Sequence, residues 1–205
     1  MLHLSGDLMN KIVMICLGAA LVGALSGCAG TNFVRPDDTA LQNGKTTITE
    51  ARAKFGSPFR ESNATKNDED VKLLSYAYAS TGGTPVETGV IPARSLELGF
   101  WKDTLVSNVF ISSFKDDASV FDESKRTAIV KGKTTRAEVI ELFGRPAGYA
   151  IYPVIKDRNG QALVYSYHTT SGSAFNLKFS KHDLIVTVDS NGLVTDVSYE
   201  SSGMQ

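Results

Sequence analysis

The amino-acid sequence predicts an α+β fold made of two tandem units, each with two helices followed by three antiparallel strands. Three patterns support this. A stretch near the middle of the chain repeats an earlier one at a constant offset, helix start and stop signals sit at matching places in both copies, and alternating apolar strand patterns follow each copy. The chain has 205 residues, of which 42% are hydrophobic and 21% charged. That is enough apolar material for a packed core. A formal net charge of −1 leaves no basic excess for phosphate neutralisation, so nucleic acid is not an expected partner.

The repeat is read directly. Residues 41–58 are LQNGKTTITEARAKFGSP and residues 129–146 are IVKGKTTRAEVIELFGRP, identical at eight of eighteen positions with an offset of 88. Leu74-Ser75-Tyr76-Ala77-Tyr78 then matches Leu163-Val164-Tyr165-Ser166-Tyr167, and Leu105-Val106-Ser107-Asn108-Val109 matches Leu193-Val194-Thr195-Asp196-Val197. The first unit spans residues 38–115 and the second 122–200, with residues 116–126 joining them.

Each element has a local reason. Thr47-x-x-Glu50 and Thr135-x-x-Glu138 are capping boxes that start a helix. Gly56 and Gly144, followed by Pro58 and Pro146, end it. A shorter helical candidate precedes each, over residues 38–42 and 122–130, broken by Gly44 and Gly132. Leu74, Tyr76 and Tyr78, and then Leu163, Tyr165 and Tyr167, alternate as in half-buried strands. Leu96, Leu98 and Phe100 correspond to Leu184, Val186 and Val188. Turns at Lys102-Asp103-Thr104 and Ser190-Asn191-Gly192 lead into last strands over 105–114 and 193–200. A further strand is expected over 174–179, without a counterpart in the first unit. Residues 62–70 read as a polar loop and residues 81–92 as a mobile loop rich in Gly, Thr and Pro.

The amino terminus reads as an address. Residues 12–26 carry no charge and follow Lys11. They are shorter than the roughly 20 residues a transmembrane helix needs, and they fit the apolar region of a signal peptide. Leu25-Ser26-Gly27-Cys28 closely resembles a bacterial lipobox. The resemblance implies a signal peptide over 1–27, lipidation of Cys28, and a short tether over 28–37. Ala29, rather than aspartate, after the cysteine implies the outer membrane, with the chain facing the periplasm.

The repeated Gly-x-Thr, Phe-Gly-x-Pro and three-strand pattern resembles the SmpA/OmlA (BamE-like) lipoprotein family, here present twice. The unit also resembles each half of β-lactamase inhibitor protein. These resemblances imply a protein-binding accessory or scaffold factor of the cell envelope, with outer-membrane β-barrel assembly as the process and that machinery among the partners. The alternative they imply is an inhibitor or sensor that binds a periplasmic enzyme.

Motifs for catalysis or cofactor binding are incomplete. Gly-Lys-Thr at Gly44 and Gly132 lacks the earlier glycine of a phosphate-binding loop, since Thr39 and Thr127 stand there. His168 and His182 have no evident third metal ligand. The chain downstream of Cys28 has no cysteine nucleophile, and no Gly-x-Ser-x-Gly elbow occurs. The expectation is therefore a non-enzyme with no catalytic residues, no metal and no cofactor beyond the covalent lipid on Cys28. The recurring Tyr76, Tyr78, Tyr165 and Tyr167, with the lone Trp101, are the candidate partner-binding residues, because tyrosine and tryptophan are favoured interface anchors. Sequence alone leaves open whether they bind a partner or fill the core.

Overall fold

A computed structural model describes residues 30–203 apart from 81, 174 and 175. The signal peptide and Cys28 lie outside the described residues. The chain forms α1 (Ile48–Phe55), β1 (Arg60–Lys66), β2 (Glu69–Ala79), β3 (Ala93–Trp101) and β4 (Thr104–Ser112). A 3-10 helix (Glu123–Ala128) then leads to α2 (Arg136–Phe143), β5 (Gly148–Ala150), β6 (Gln161–Ser173), β7 (Asn176–Val188) and β8 (Val194–Gly203). All eight strands make one antiparallel sheet in sequence order.

This corrects the expected fold class. Two helix-helix-three-strand units are replaced by one continuous sheet, to which each half contributes one α-helix and four strands. The physical reasons are local. Residues 38–42 form only turns, since so short a segment cannot repay helix nucleation. Residues 122–130 contain a 3-10 helix capped by the Asp122 side chain, which accepts from Ser124 N. β1 reads RESNATK: it is an edge strand with little to bury, so it carries no apolar alternation. It is made by its turn, where Asn67 and Asp68 both take positive φ, 46° and 64°, the geometry of a two-residue hairpin. β5 is three residues long, too short to leave a periodic signal. Of the segment expected as a further strand, residues 176–179 are the start of β7, which pairs with β6 along its length.

The repeat is nevertheless built twice in atomic detail. Thr47 Oγ1 accepts from Glu50 N at 3.2 Å and the Glu50 carboxylate accepts from Thr47 N at 2.8 Å. Thr135 and Glu138 do the same at 3.3 and 2.7 Å. Each helix stops at a glycine, Gly56 (φ 74°, ψ −154°) and Gly144 (φ 77°, ψ −158°), a backbone region that only glycine occupies comfortably. Gly44 N donates to Leu105 O at 2.8 Å, and Gly132 N to Val194 O at 2.7 Å.

All three helices pack on one face of the sheet. In the first half Ala51, Ile48 and Phe55 meet Leu74, Tyr76, Leu96, Leu98, Phe100 and Phe110. In the second, Val139, Ile140 and Phe143 meet Leu163, Tyr165, Leu184, Val186 and Val194. The halves are joined through β5, which pairs with β4 at Ser107–Val109 and with β6 at Ala162–Val164.

Two segments expected to be loose are pinned. In the tether, Asn32 accepts from Arg94 Nη1 at 3.0 Å, Phe33 meets Phe110 edge-on at 6.2 Å, and Arg35 donates to Pro146 O. Arg145 returns to Pro36 O at 2.9 Å and to Asp38 at 2.6 Å. In the loop over 81–92, Val86 N donates to Ser113 O at 2.9 Å and Ile91 N to Thr170 O at 2.7 Å, so it stitches the first half to β6.

Candidate binding face

Strand alternation assigns every second residue to the face opposite the helices. On β6 these are Val164, Ser166 and His168; on β7 they are Leu177, Phe179, Lys181, Asp183 and Ile185. Asp183 lies directly across from Ser166 on one side and from Glu200 on β8 on the other. Its carboxylate accepts from Ser166 Oγ, from His168 Nε2 at 3.0 Å and from Lys181 Nζ at 2.7 Å. Burial alone would raise this carboxyl. The hydrogen bonds from His168, Lys181 and Ser166 outweigh it and hold Asp183 well below the usual carboxylate range.

The cluster contains a serine, a histidine and an aspartate, yet its geometry is not a proton relay. One histidine nitrogen, Nε2, faces both the Ser166 hydroxyl (3.3 Å) and Asp183. The hydroxyl is itself hydrogen-bonded to the carboxylate. A relay needs the ring to stand between nucleophile and acid, using its two nitrogens. What the cluster supplies is a fixed arrangement of donors and a carboxylate on a rigid sheet.

Apolar side chains flank it. Phe179 is 59% exposed, and Leu177 and Ile185 are also exposed. In β7 these flank the charged pair Lys181 and Asp183 on the same face, giving a mixed apolar and polar stripe along one strand. The first-half positions that correspond to Ser166, His168, Lys181, Asp183 and Ile185 are Ala77, Ala79, Ala93, Ser95 and Glu97, so the two halves present different chemistry on this face.

The sequence-derived candidates lie elsewhere. Tyr76 (5% exposed) and Tyr165 (1%) are buried beneath the helices. Their hydroxyls donate to the carbonyls of Gly56 and Gly144 at 3.2 and 3.1 Å, which ties the end of each helix to the sheet. Burial raises both phenols above their ordinary value. Tyr167 is buried too, and burial beside Glu87 pushes its phenol up to about 12. Tyr78 is half-buried and stacks on Phe114 at 5.9 Å. Trp101, at the end of β3, donates to Glu69 at 2.9 Å and packs edge-on against Tyr152. The four tyrosines are thus on the helix side of the sheet, because their alternation partners Leu74 and Leu163 belong to the cores.

Two further residues are placed clearly. His168 and His182 point to opposite faces, since His182 pairs with Tyr167 on the helix side; it bonds Glu123 at 2.6 Å. Among the described residues no group of three His, Cys, Asp or Glu side chains is arranged to hold a metal. The residues of the β7 stripe were missed by sequence reasoning. Their only signal was the i, i+2 spacing of Leu177, Phe179 and Ile185, and Leu184 and Val186 on the other side carry an equal one.

No family model matches this chain, and no curated protein matches it. Among solved structures it is similar to a Streptococcus mutans protein provisionally described as a beta-lactamase inhibitor protein. That likeness has 12% identity over 77% of this chain and 83% of that one, with a TM-score of 0.38. A likeness this distant carries no argument about partner or activity.

Proposed function

We infer that this chain is a lipid-anchored protein of the outer membrane, facing the periplasm, that binds protein partners through the helix-free face of its sheet. The observation that supports this best is the β7 stripe, where exposed Leu177, Phe179 and Ile185 flank the Asp183 cluster. Exposed apolar side chains interleaved with fixed polar groups suit protein recognition, in which apolar contacts supply affinity and placed charges supply specificity. The anchor follows from Leu25-Ser26-Gly27-Cys28, and confinement to a membrane raises the effective concentration of partners there. Partners are envelope proteins, with the β-barrel assembly machinery as the first class to test.

The test places a photo-crosslinking amino acid at position 179 or 185 in cells, with position 52 on α1 as the control. Adducts to barrel-assembly proteins from 179 and 185, absent from 52, support the reading. Adducts to a single periplasmic enzyme make the protein an inhibitor or sensor. Adducts from position 52 alone overturn the open face as the binding surface.

A further inference from the structure

The point where the chain enters the fold decides which side of the molecule a lipid on Cys28 holds to the membrane. Gly30 has a positive φ of 66° and lies so close to Ala77 that a Cβ there would be 2.0 Å from its carbonyl oxygen. From Asn32 onward the chain is fastened to Arg94, Phe110 and Pro146. Cys28 stands two positions before Gly30, a reach of at most about 7 Å.

The surface within that reach is unusual for this protein. A groove of about 230 Å³ runs between residues 30–33 and the end of α1, and Lys54, Phe55, Ser57 and Phe59 line it. Phe59 is 67% exposed. Its counterpart at the offset of 88, Ala147, is buried, its carbonyl accepting from Phe110 N on β4. In the first half β1 is the sheet edge, so nothing in the sheet lies beyond Phe59. Lys54 lines the same groove and Arg60 is the next residue along the chain, and both are exposed. Glu61 is engaged by Arg52 at 2.7 Å and by Lys72 at 3.3 Å.

We propose that this corner, Phe59 with Lys54 and Arg60, rests on the phospholipid surface and holds the protein in one orientation. The ring enters the boundary between headgroups and acyl chains, and the two cations meet lipid phosphates. This rests on Cys28 being the lipidated residue. It makes the docked segment a bracket rather than a tether. Trp101 lies about six residues down the strands from Ala77, roughly 20 Å further from the membrane at 3.4 Å per residue.

The experiment uses the chain from Cys28 onward, with the Cys28 thiol joined to a lipid maleimide, on phosphatidylcholine vesicles with or without bromine on the acyl chains. Native Trp101 is the internal control, and Phe59→Trp adds a second reporter at an exposed, tolerant position. The added emission is expected to be blue-shifted and lost on brominated vesicles, while Trp101 emission is the same on both. Equal added emission on both vesicle types, with the protein still floating with the lipid, overturns the membrane corner and leaves the anchor standing. The mass of the N-terminal peptide from cells tests the anchor separately. An unmodified Cys28 would remove both.

Discussion

Asp183 accepts hydrogen bonds from Ser166, His168 and Lys181 while most of its surface is withdrawn from water. Its carboxyl is therefore depressed in the folded state relative to about 3.9 in an unfolded chain. A depressed carboxyl contributes stability that is present above the unfolded value and is lost as pH falls through the folded one. Asp183→Asn should cost about 1–3 kcal/mol at neutral pH. It should also flatten the loss of stability below about pH 4, as measured by urea titrations at several pH values. If variant and wild type lose stability in parallel on acidification, the cluster is not coupled to folding as described.

At the scale of elements, the two helices with capping boxes were the most legible part of the chain, whereas the shorter helices expected before them are turns and a 3-10 helix. Thr135-x-x-Glu138, Gly144 and Pro146 name the start and stop of α2, because capping and termination depend on residues within one turn of each other. Replacing Thr135 with alanine should cost about 1 kcal/mol, with the loss read from a lowered midpoint in denaturant. An unchanged midpoint would mean that packing of Val139 and Phe143, rather than the cap, holds the helix. The strands were legible only where one side is buried. β1 escaped notice because RESNATK buries almost nothing, and β5 because three residues cannot display a period. The candidate site was less legible still. Tyr76 and Tyr165 recur because each secures a glycine carbonyl at the end of its helix, a packing duty that leaves the same mark on a sequence as a repeated binding residue.

Across the whole molecule, the two halves become one sheet through β5. A Cβ on Gly148 would lie 1.8 Å from the Asn108 carbonyl oxygen, a backbone atom that can yield only if β4 and β5 separate. Gly148→Val should therefore destabilise the protein by about 1–3 kcal/mol or more. It should also convert a single calorimetric transition into two, one for each half. One transition at the wild-type midpoint would show that the halves are coupled elsewhere, for instance through the stitched loop at Ile91 and Thr170.

By itself the amino-acid sequence determined the duplication, the two capped helices, the strand alternation of Leu74, Tyr76, Leu163 and Tyr165, and the Leu25–Cys28 pattern. These are all written in neighbouring residues or in a constant offset. The tertiary structure decided that the halves share one sheet, that the N-terminal segment is docked, and that the tyrosines lie under the helices while the β7 stripe lies open. Those outcomes depend on which strand edges meet and which face the helices cover. A residue alternation of two specifies that a strand has two sides, but the side that is sealed is chosen only when distant segments pack against it.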